Sequence, residues 1–236
     1  PSYFSKRSGF VINQLSGGGC EHMGNFPTFP VKGKLKMSPD NILNYRINIS
    51  EEKGHAGYYE AMVQEDIKAK LTVTERTGMA SYEYPADQQY GTIIIGGGIS
   101  ATPIEQAAIV ITAPNKCEGY AEGGNFCGLR TPYKVYFVAE FDTDALETGT
   151  WKREELMPNT TFAEGEYSGV YFTFDVNKKK NIQYKIGVSY VSVENARENL
   201  KAENTEWDFQ KIQNQAEAKW NHYLGKIEVE GSNPDR

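Results

Sequence analysis

A glycine-rich segment near the start of the chain has the residue types of a ligand-binding loop. It consists of Ser16, Gly17, Gly18, Gly19, Cys20, Glu21 and His22. Because glycine has no Cβ atom, the backbone here can present its N–H groups closely to a ligand. An aromatic and proline-rich stretch that contains Asn25, residues 23–30, follows the glycines and favours a functional role. On composition alone a flexible turn is the alternative, since glycine runs interrupt chains in many loops.

A second glycine run formally matches the dinucleotide-binding fingerprint. Residues 96–101 have the pattern GxGxx(G/A) and follow the apolar run 93–95. A cofactor loop of this kind must open into a helix whose N-terminus holds the pyrophosphate. Pro103 and the β-branched run 109–112 oppose such a helix. We therefore predict a glycine-rich connection between two strands.

The three cysteines do not form a recognisable metal site. Cys20 and His22 make a single Cys-x-His pair, whereas a zinc site of this type needs a second pair. Cys117 and Cys127 flank another glycine-rich loop and could form a disulfide, which geometry alone can decide. We therefore predict no zinc site at these residues.

The other histidines and the carboxylates give no catalytic pattern either. We interpret His55, in a predicted hairpin turn at residues 51–57, and His222, on a predicted helix, as solvent-facing or packing residues. Asp142 and Asp144 could bind calcium after a strand, but they lack a regular spacing of oxygen ligands, which favours a solvated turn. Because the chain has 31 acidic residues, proximity in sequence nominates no catalytic pair.

Length and charge restrict the class of protein. A chain of 236 residues with 39% hydrophobic residues can bury one sizeable core, and β-sandwiches of this length are commonly single domains. The net charge is −6 and the basic residues are scattered, so nucleic acid is not expected as a partner. The basic run 178–180 is expected to be a solvated turn. No apolar run approaches the roughly 20 residues of a membrane helix.

The elements that must position these residues are mainly strands. Apolar and polar residues alternate with period two, the pattern of half-buried strands, in residues 43–50, 67–74, 133–141, 170–176 and 182–188. No stretch between residues 11 and 191 has a helical period, which argues against a parallel α/β fold. The sequence predicts a mainly β protein with a large antiparallel β-sandwich.

The period changes at Ser192. Residues 193–202 are rich in helix formers, and residues 208–224 place one apolar stripe along a second helix. The stripe consists of Phe209, Ile212, Ala216, Trp220 and Tyr223. Residues 205–208 have the spacing of a capping box, and Gly225 suits the end of the helix. Residues 226–230 alternate briefly before a polar tail that has the composition of a linker.

Three segments carry a resemblance to a known family. They are residues 9–10 with 14–20 and 24–33, residues 57–59 with 67–72 and 76–78, and residues 185–197 with 220–221 and 224–227. The first contains Leu-Ser-Gly-Gly-Gly-Cys, and the third, the most specific, contains Lys-Ile-Gly-Val-Ser-Tyr-Val-Ser-Val-Glu-Asn-Ala-Arg. Together they resemble the N-terminal domain of the calcium-dependent exo-α-mannosidases of glycoside hydrolase family 92.

The resemblance implies a supersandwich-like β domain with C-terminal linker helices. It implies a sandwich over residues 1–191, a helical segment over 192–225 and a linker over 226–236. An (α/α)6 catalytic domain would follow and would carry the catalytic carboxylates and the Ca²⁺ ligands. We therefore expect no catalytic residue and no metal ligand in this chain, which alone is expected to be inactive.

The resemblance also implies partners and a location. Residues 16–22, together with Asn25, would form the sandwich's share of a pocket for α-mannosyl glycans. The parent enzyme would hydrolyse the glycosidic bond with inversion, at a bacterial-type extracytoplasmic location. Its own C-terminal helical domain would be the protein partner. The alternative is a free-standing carbohydrate-binding or adhesion sandwich, which would bind glycans without the second domain.

Overall fold

The fold is an antiparallel β-sandwich of two unequal sheets. A computed structural model of the chain describes residues 9–13, 23–40, 48–124 and 128–228. Within these ranges the strands are β1 Thr28–Lys32, β2 Ile49–His55, β3 Tyr58–Val63, β4 Ile67–Val73, β5 Thr77–Glu83, β6 Tyr90–Gly96, β7 Ile104–Ala113, β8 Lys116–Gly123, β9 Tyr133–Phe141, β10 Glu147–Lys152, β11 Glu155–Pro158, β12 Phe162–Glu164, β13 Ser168–Asp175 and β14 Asn181–Ser189.

The two sheets confirm the predicted fold class. The smaller sheet has the strand order β1-β6-β13-β10-β11, and the larger has β12-β7-β8-β9-β14-β5-β4-β3-β2. Each pair of neighbouring strands that the structure describes is antiparallel. β9 and β14 lie in the middle of the larger sheet, and their two ends position the sites described below.

The core lies between the sheets and follows the period-two pattern. Phe141 at the end of β9 packs on Phe172 and Phe174 of β13, with ring centroids 4.8 and 5.1 Å apart. Tyr184 on β14 completes this aromatic group at 5.4 Å from Phe141. All four residues are at least nine-tenths buried. The alternation in β9, β13 and β14 therefore selects the face that each strand turns to the opposite sheet.

Two predictions about turns have different outcomes. The predicted turn at residues 51–57 is wrong, because β2 runs through Ile49–His55 and pairs with β3, leaving only residues 56–57 to turn. Cross-strand hydrogen bonding here overrides the polar composition. The second glycine run does join two strands, β6 and β7, as predicted. A Cβ atom at Gly98 would clash with the carbonyl oxygen of Gly165, so close backbone packing explains a glycine there.

Two helices follow the last strand: α1 Val193–Glu203 and α2 Phe209–Leu224. Ser192 caps α1 by accepting a hydrogen bond from the backbone N–H of Asn195, at 3.1 Å. Asp208, rather than the predicted Thr205, caps α2 by accepting from the N–H of Lys211, at 3.0 Å. Because the helix begins at Phe209, the residue just before it makes the cap.

The predicted apolar stripe of α2 is buried over its first two turns only. Phe209, Ile212 and Ala216 pack on the larger sheet, whereas Trp220 and Tyr223 are exposed. Within the described ranges, the helix therefore packs on the sheet along its N-terminal half only. Residues 226–228 form no strand, and the rest of the predicted segment 226–230 lies outside the described ranges.

Candidate functional site

The candidate site lies at the end of the sandwich where β9 begins and β14 ends. Asn25 is the member of the predicted site that the structure describes; residues 16–22 lie outside the described ranges. Asn13 and Met23, which flank residues 14–22 in the sequence, both lie at this end. We call the described group Asn13, Met23, Asn25, Tyr133 and Tyr190 the loop end.

Asn25 is at the centre of a hydrogen-bond network. Its side chain is buried, and its Oδ1 accepts hydrogen bonds from Asn13 Nδ2 at 3.0 Å and from the Tyr133 hydroxyl at 2.7 Å. Its backbone N–H donates to Asn13 Oδ1 at 2.8 Å. Its Nδ2 is buried and makes no hydrogen bond to any described residue. Asn25 therefore links Asn13, which precedes the glycine-rich segment, to the residues that follow it. The Asn25 Nδ2 group is a donor that could bind a ligand.

The backbone next to Asn25 is held in left-handed conformations. Met23 and Phe26 have φ angles of 57° and 56°, and Gly24 between them has 76°. Such angles are unfavourable for bulky residues and persist only when the surroundings impose them. Part of that constraint is a hydrogen bond from the Ala101 N–H to the Met23 carbonyl oxygen, at 2.9 Å. Stored strain of this kind is common in ligand-binding loops.

Two tyrosines shape the loop end, and the sequence analysis did not identify either of them. Tyr133 begins β9 and Tyr190 follows β14, with ring centroids 6.3 Å apart. Burial raises the pKa of Tyr133, and its hydrogen bonds to Thr102 and Asn25 offset this only in part. Its hydroxyl therefore remains a protonated donor at neutral pH. Tyr190 is 51% exposed and presents an aromatic surface to solvent.

The described residues do not offer a metal centre or a catalytic pair at the loop end. No group of three or more His, Cys, Asp or Glu side chains in the described ranges is arranged to hold a metal ion. Asp142 lies at the other end of β9 and pairs with Lys179 at 2.8 Å. His55 and His222 are exposed, which agrees with the solvent-facing alternative of their interpretation.

Cys117 lies on β8 inside the core. Its thiol is fully buried, and burial raises its pKa far above the usual range, so the thiolate is suppressed. Cys20 and Cys127 lie outside the described ranges, so the possible pairing of Cys117 with Cys127 stays a prediction.

Comparison with known proteins identifies the family of this sandwich. Residues 3–189 match the model of the glycosyl hydrolase family 92 N-terminal domain. The chain belongs to glycosyl hydrolase family 92. Residues 195–236 match the model of the family 92 catalytic domain. The two matches together cover nearly the whole chain, and the change from one to the other falls close to the start of α1.

Individual relatives agree with the family. An uncharacterized secreted glycosidase from the fungus Arthroderma benhamiae is 25% identical over 95% of this chain and 32% of its own length. The structure of an inverting family 92 mannosidase from Bacteroides thetaiotaomicron superposes with a TM-score of 0.75, 25% identity, and coverage of 88% of this chain and 27% of that one.

A further structure shares the fold. It is a family 92 α-mannosidase from Bacteroides thetaiotaomicron in complex with mannoimidazole, with a TM-score of 0.82, 24% identity, and coverage of 98% of this chain and 32% of that one. This chain therefore spans about a third of the length of the relatives it matches. Within the described ranges, no helix has the length and hydrophobicity that crossing a membrane requires.

Proposed function

We propose that this chain is the sandwich portion of an exo-acting α-mannosidase that hydrolyses its substrate with inversion. The observation that carries the proposal is the match of residues 3–189 to the family 92 N-terminal domain. The 25% identity to an inverting mannosidase supports the reaction type. The protein acts outside the cytoplasm, in a bacterial-type periplasm, on the cell surface or in the medium; the secreted fungal relative supports the extracytoplasmic part of this proposal.

In this proposal residues 16–22 and Asn25 form part of the wall of the sugar pocket. Asn25 supports the wall because its network joins Asn13 to the sequence that follows the glycines. Tyr190 adds an exposed aromatic face beside that network. The apolar body of a tyrosine can stack on a sugar ring while its hydroxyl stays hydrated. The loop end thus offers hydrogen-bonding groups and an aromatic stacking surface, and both can bind a terminal mannose.

The chemistry belongs to a second, helical domain in this proposal. Inversion needs two carboxyl groups roughly 6.5–9.5 Å apart, one to protonate the leaving oxygen and one to activate water. The described carboxylates form no such pair at the loop end. No group of three or more His, Cys, Asp or Glu side chains in the described ranges could hold a metal ion. In this proposal the catalytic carboxylates and the Ca²⁺ ligands belong to the catalytic domain, and residues 1–191, 192–225 and 226–236 serve as sandwich, helical segment and linker.

Exposed apolar side chains near the loop end support a neighbour there. Leu129, on the connection from β8 to β9, is 69% exposed, and Val191, just after β14, is 72% exposed. Both are within four residues of a loop-end tyrosine in the sequence, and an exposed apolar surface at one end of a domain is the kind that marks a protein interface. The proposed occupant of this surface is the protein's own catalytic domain. A pocket between the two domains would then have Asn25 and Tyr190 on its sandwich side.

The test uses the intact protein that contains this chain and its catalytic domain. We expect it to release mannose from an α-linked mannobiose, and NMR of the first product should show the β anomer, since the bond is inverted. Removing divalent cations with a chelator should abolish the release. The 236-residue chain alone should release no mannose. Mannose release by the chain alone would overturn the assignment of the chemistry to the second domain.

Variants of the intact protein test the sandwich's share of the pocket. His22→Ala and Tyr190→Ala should each lower kcat/KM by about tenfold or more, the effect of losing roughly 1.4 kcal/mol of transition-state contact. Phe162→Ala is the matched control, because Phe162 is 53% exposed on the edge strand β12 and lies away from the loop end. Equal activity of all three variants would refute a role for the loop end in the pocket.

A further inference from the structure

An open surface pocket lies on the outer face of the larger sheet, far from the loop end. Its volume is about 580 Å³, large enough for a sugar ring. It lies beside the connection from α1 to α2 and is lined by Asp142, Lys179, Lys180, Asn181, Gln183 and Trp207. None of these residues has a part in the proposed function.

The pocket contains acceptor atoms that lack hydrogen-bond donors. The Asp142 side chain is 7% exposed; its Oδ2 pairs with Lys179 Nζ at 2.8 Å, whereas its Oδ1 has no partner among the described residues. Gln183 Oε1, on the neighbouring strand, is also buried and unpartnered within the described ranges. Buried acceptors are normally satisfied by a protein group, water or ligand. Both residues line the pocket, so a modest side-chain shift lets each of these oxygens accept from a hydroxyl group while Lys179 keeps its ion pair with Asp142 Oδ2.

Trp207 supplies an apolar wall beside these acceptors. The Lys185 ammonium lies 4.1 Å from the centroid of its ring, and the same ammonium donates to the Asn204 carbonyl oxygen at 2.9 Å. This packing holds the indole in place over the sheet. Trp207 nevertheless remains 37% exposed and lines the pocket. A rigid aromatic surface next to amide and carboxylate oxygens suits a ligand that is apolar on one face and rich in hydroxyls at its edge.

The pocket and the loop end lie at opposite ends of the same strands. Tyr133 begins β9 and Asp142 follows its last residue; Gln183 is near the start of β14 and Tyr190 follows its end. At about 3.3 Å per residue, the nine steps from Tyr133 to Asp142 span about 30 Å. A single sugar residue cannot reach both sites. Sugar binding at the pocket can therefore be measured separately from sugar binding at the loop end.

We propose that this outer-face pocket is a second carbohydrate-binding site, which takes one neutral hexopyranose residue of a glycan. The sugar stacks its C–H face on Trp207 and donates hydroxyl hydrogens to Asp142 and Gln183. A neutral ring fits because Lys179 is already matched to Asp142 and Lys185 is already bonded to Asn204. The site would hold a neighbouring part of the polysaccharide while the terminal residue is processed elsewhere.

The test is an NMR titration of the ¹⁵N-labelled chain with methyl α-D-mannopyranoside and, separately, methyl α-D-glucopyranoside. The chain has three tryptophans, Trp151, Trp207 and Trp220, so three indole N–H signals can be followed. At least one of the two sugars should shift the Trp207 signal saturably, with a dissociation constant on the order of 1 mM for a ligand of this size. The signal of the buried Trp151 should not move.

Variants separate specific binding from surface effects. Gln183→Ala keeps the Trp207 probe and should weaken binding at least fivefold, while Trp220→Ala, on the exposed part of α2, should leave the titration unchanged. Thermal unfolding of each variant checks that it is folded. The proposal is overturned if neither sugar shifts Trp207 at about 50 mM, far above the expected dissociation constant, or if Trp220 shifts equally. It is also overturned if Gln183→Ala, folded, binds as tightly as the parent chain.

Discussion

The two ends of β9 and β14 carry buried polar groups with different degrees of satisfaction. At the loop end, Asn25 Oδ1 accepts two hydrogen bonds, and its Nδ2 has no partner among the described residues. At the opposite end, the buried atoms Asp142 Oδ1 and Gln183 Oε1, and both side-chain polar atoms of Asn204, have no partner among the described residues. We call the loop end of these strands the closed end, because a hydrogen-bond network joins its polar groups. We call the opposite end the open end, because several of its buried polar atoms have no described partner.

This difference distinguishes polar groups that stabilise the fold from polar groups that are available to bind a ligand. A buried acceptor whose donors are in place, such as Asn25 Oδ1, stabilises one conformation, because removing it leaves those donors unsatisfied. A buried polar group without partners contributes little and can be replaced by an apolar group at low cost. We therefore expect substitutions at the loop end to cost more stability than equivalent substitutions at the opposite end.

The largest effect is expected for Asn25→Leu. The change removes the acceptor for Asn13 and Tyr133 at a buried position and should lower the free energy of unfolding by about 3 kcal/mol, since each deprived donor costs roughly 1–3 kcal/mol. Urea unfolding followed by circular dichroism measures the loss. Asn25→Asp, which keeps an acceptor oxygen of the same size, is the control and should lose less. A loss under 1 kcal/mol for Asn25→Leu would remove the basis of the comparison.

Glu203→Gln should have the next largest effect, and it depends on pH. Glu203 ends α1, and its carboxylate accepts from the Thr74 hydroxyl at 2.5 Å and from the Arg76 N–H at 2.9 Å. Partial burial raises the pKa of Glu203, but the hydrogen bonds from Thr74 and Arg76 outweigh burial and hold it below 4.5. At neutral pH the variant should lose about 1.5 kcal/mol, the typical contribution of a charged hydrogen bond.

The sign of the pH dependence follows from the lowered pKa of Glu203. The carboxylate is favoured in the folded state, so its contribution is complete above about pH 4.5 and is lost as the pH falls through the lower folded-state value. Unfolding curves of the parent chain and Glu203→Gln should therefore differ at pH 7 and converge near the folded-state pKa. A difference that grows on acidification would show that another group is responsible. Arg76 lies next to β14, since its carbonyl oxygen accepts from the Val188 N–H at 3.0 Å, so this contact adds a third position to the comparison.

A smaller effect is expected for Tyr133→Phe. The variant removes one hydroxyl while Asn13 still donates to Asn25, so the loop end should lose about 1 kcal/mol, the usual value of a single neutral hydrogen bond. Tyr120→Phe, on the outer face of β8, is the matched control and should be neutral. If Tyr133→Phe costs as much as Asn25→Leu, the network depends on the tyrosine rather than on the asparagine.

The patterned strands could be predicted from the sequence because one face of each is buried. In β9, Val135, Phe137, Ala139 and Phe141 are buried at every second position, as the alternation requires. β6 is different, since Thr92, Ile93 and Ile94 are all buried. Its outer face is covered by the chain after β1, where the Thr92 hydroxyl donates to the Gly33 carbonyl oxygen at 2.7 Å. A segment that packs over a sheet from elsewhere in the chain leaves no local periodicity to detect.

The candidate site could be predicted only in part, for a related reason. Glycine composition and the family resemblance nominated residues 16–22 and Asn25, but Tyr133 and Tyr190 are 57 positions apart in the numbering. They meet because β14 pairs with β9 in the register Gly187↔Val138. That register depends on the packing of the whole sheet rather than on either residue's neighbours. The sequence did contain one indication of their role, because each tyrosine lies at the boundary of an alternating strand.

The smallest effect is expected for Gln183→Leu at the open end. Gln183 Oε1 has no described partner, so leucine removes an unsatisfied acceptor and adds apolar surface of similar size. The free energy of unfolding should change by less than about 0.5 kcal/mol, against about 3 kcal/mol for Asn25→Leu at the closed end. The two leucine variants are matched in chemistry, since each replaces a side-chain amide on the same sandwich. Equal losses for both in parallel urea titrations would mean that an unseen partner, such as ordered water, satisfies Gln183, and the distinction between the two ends would fail.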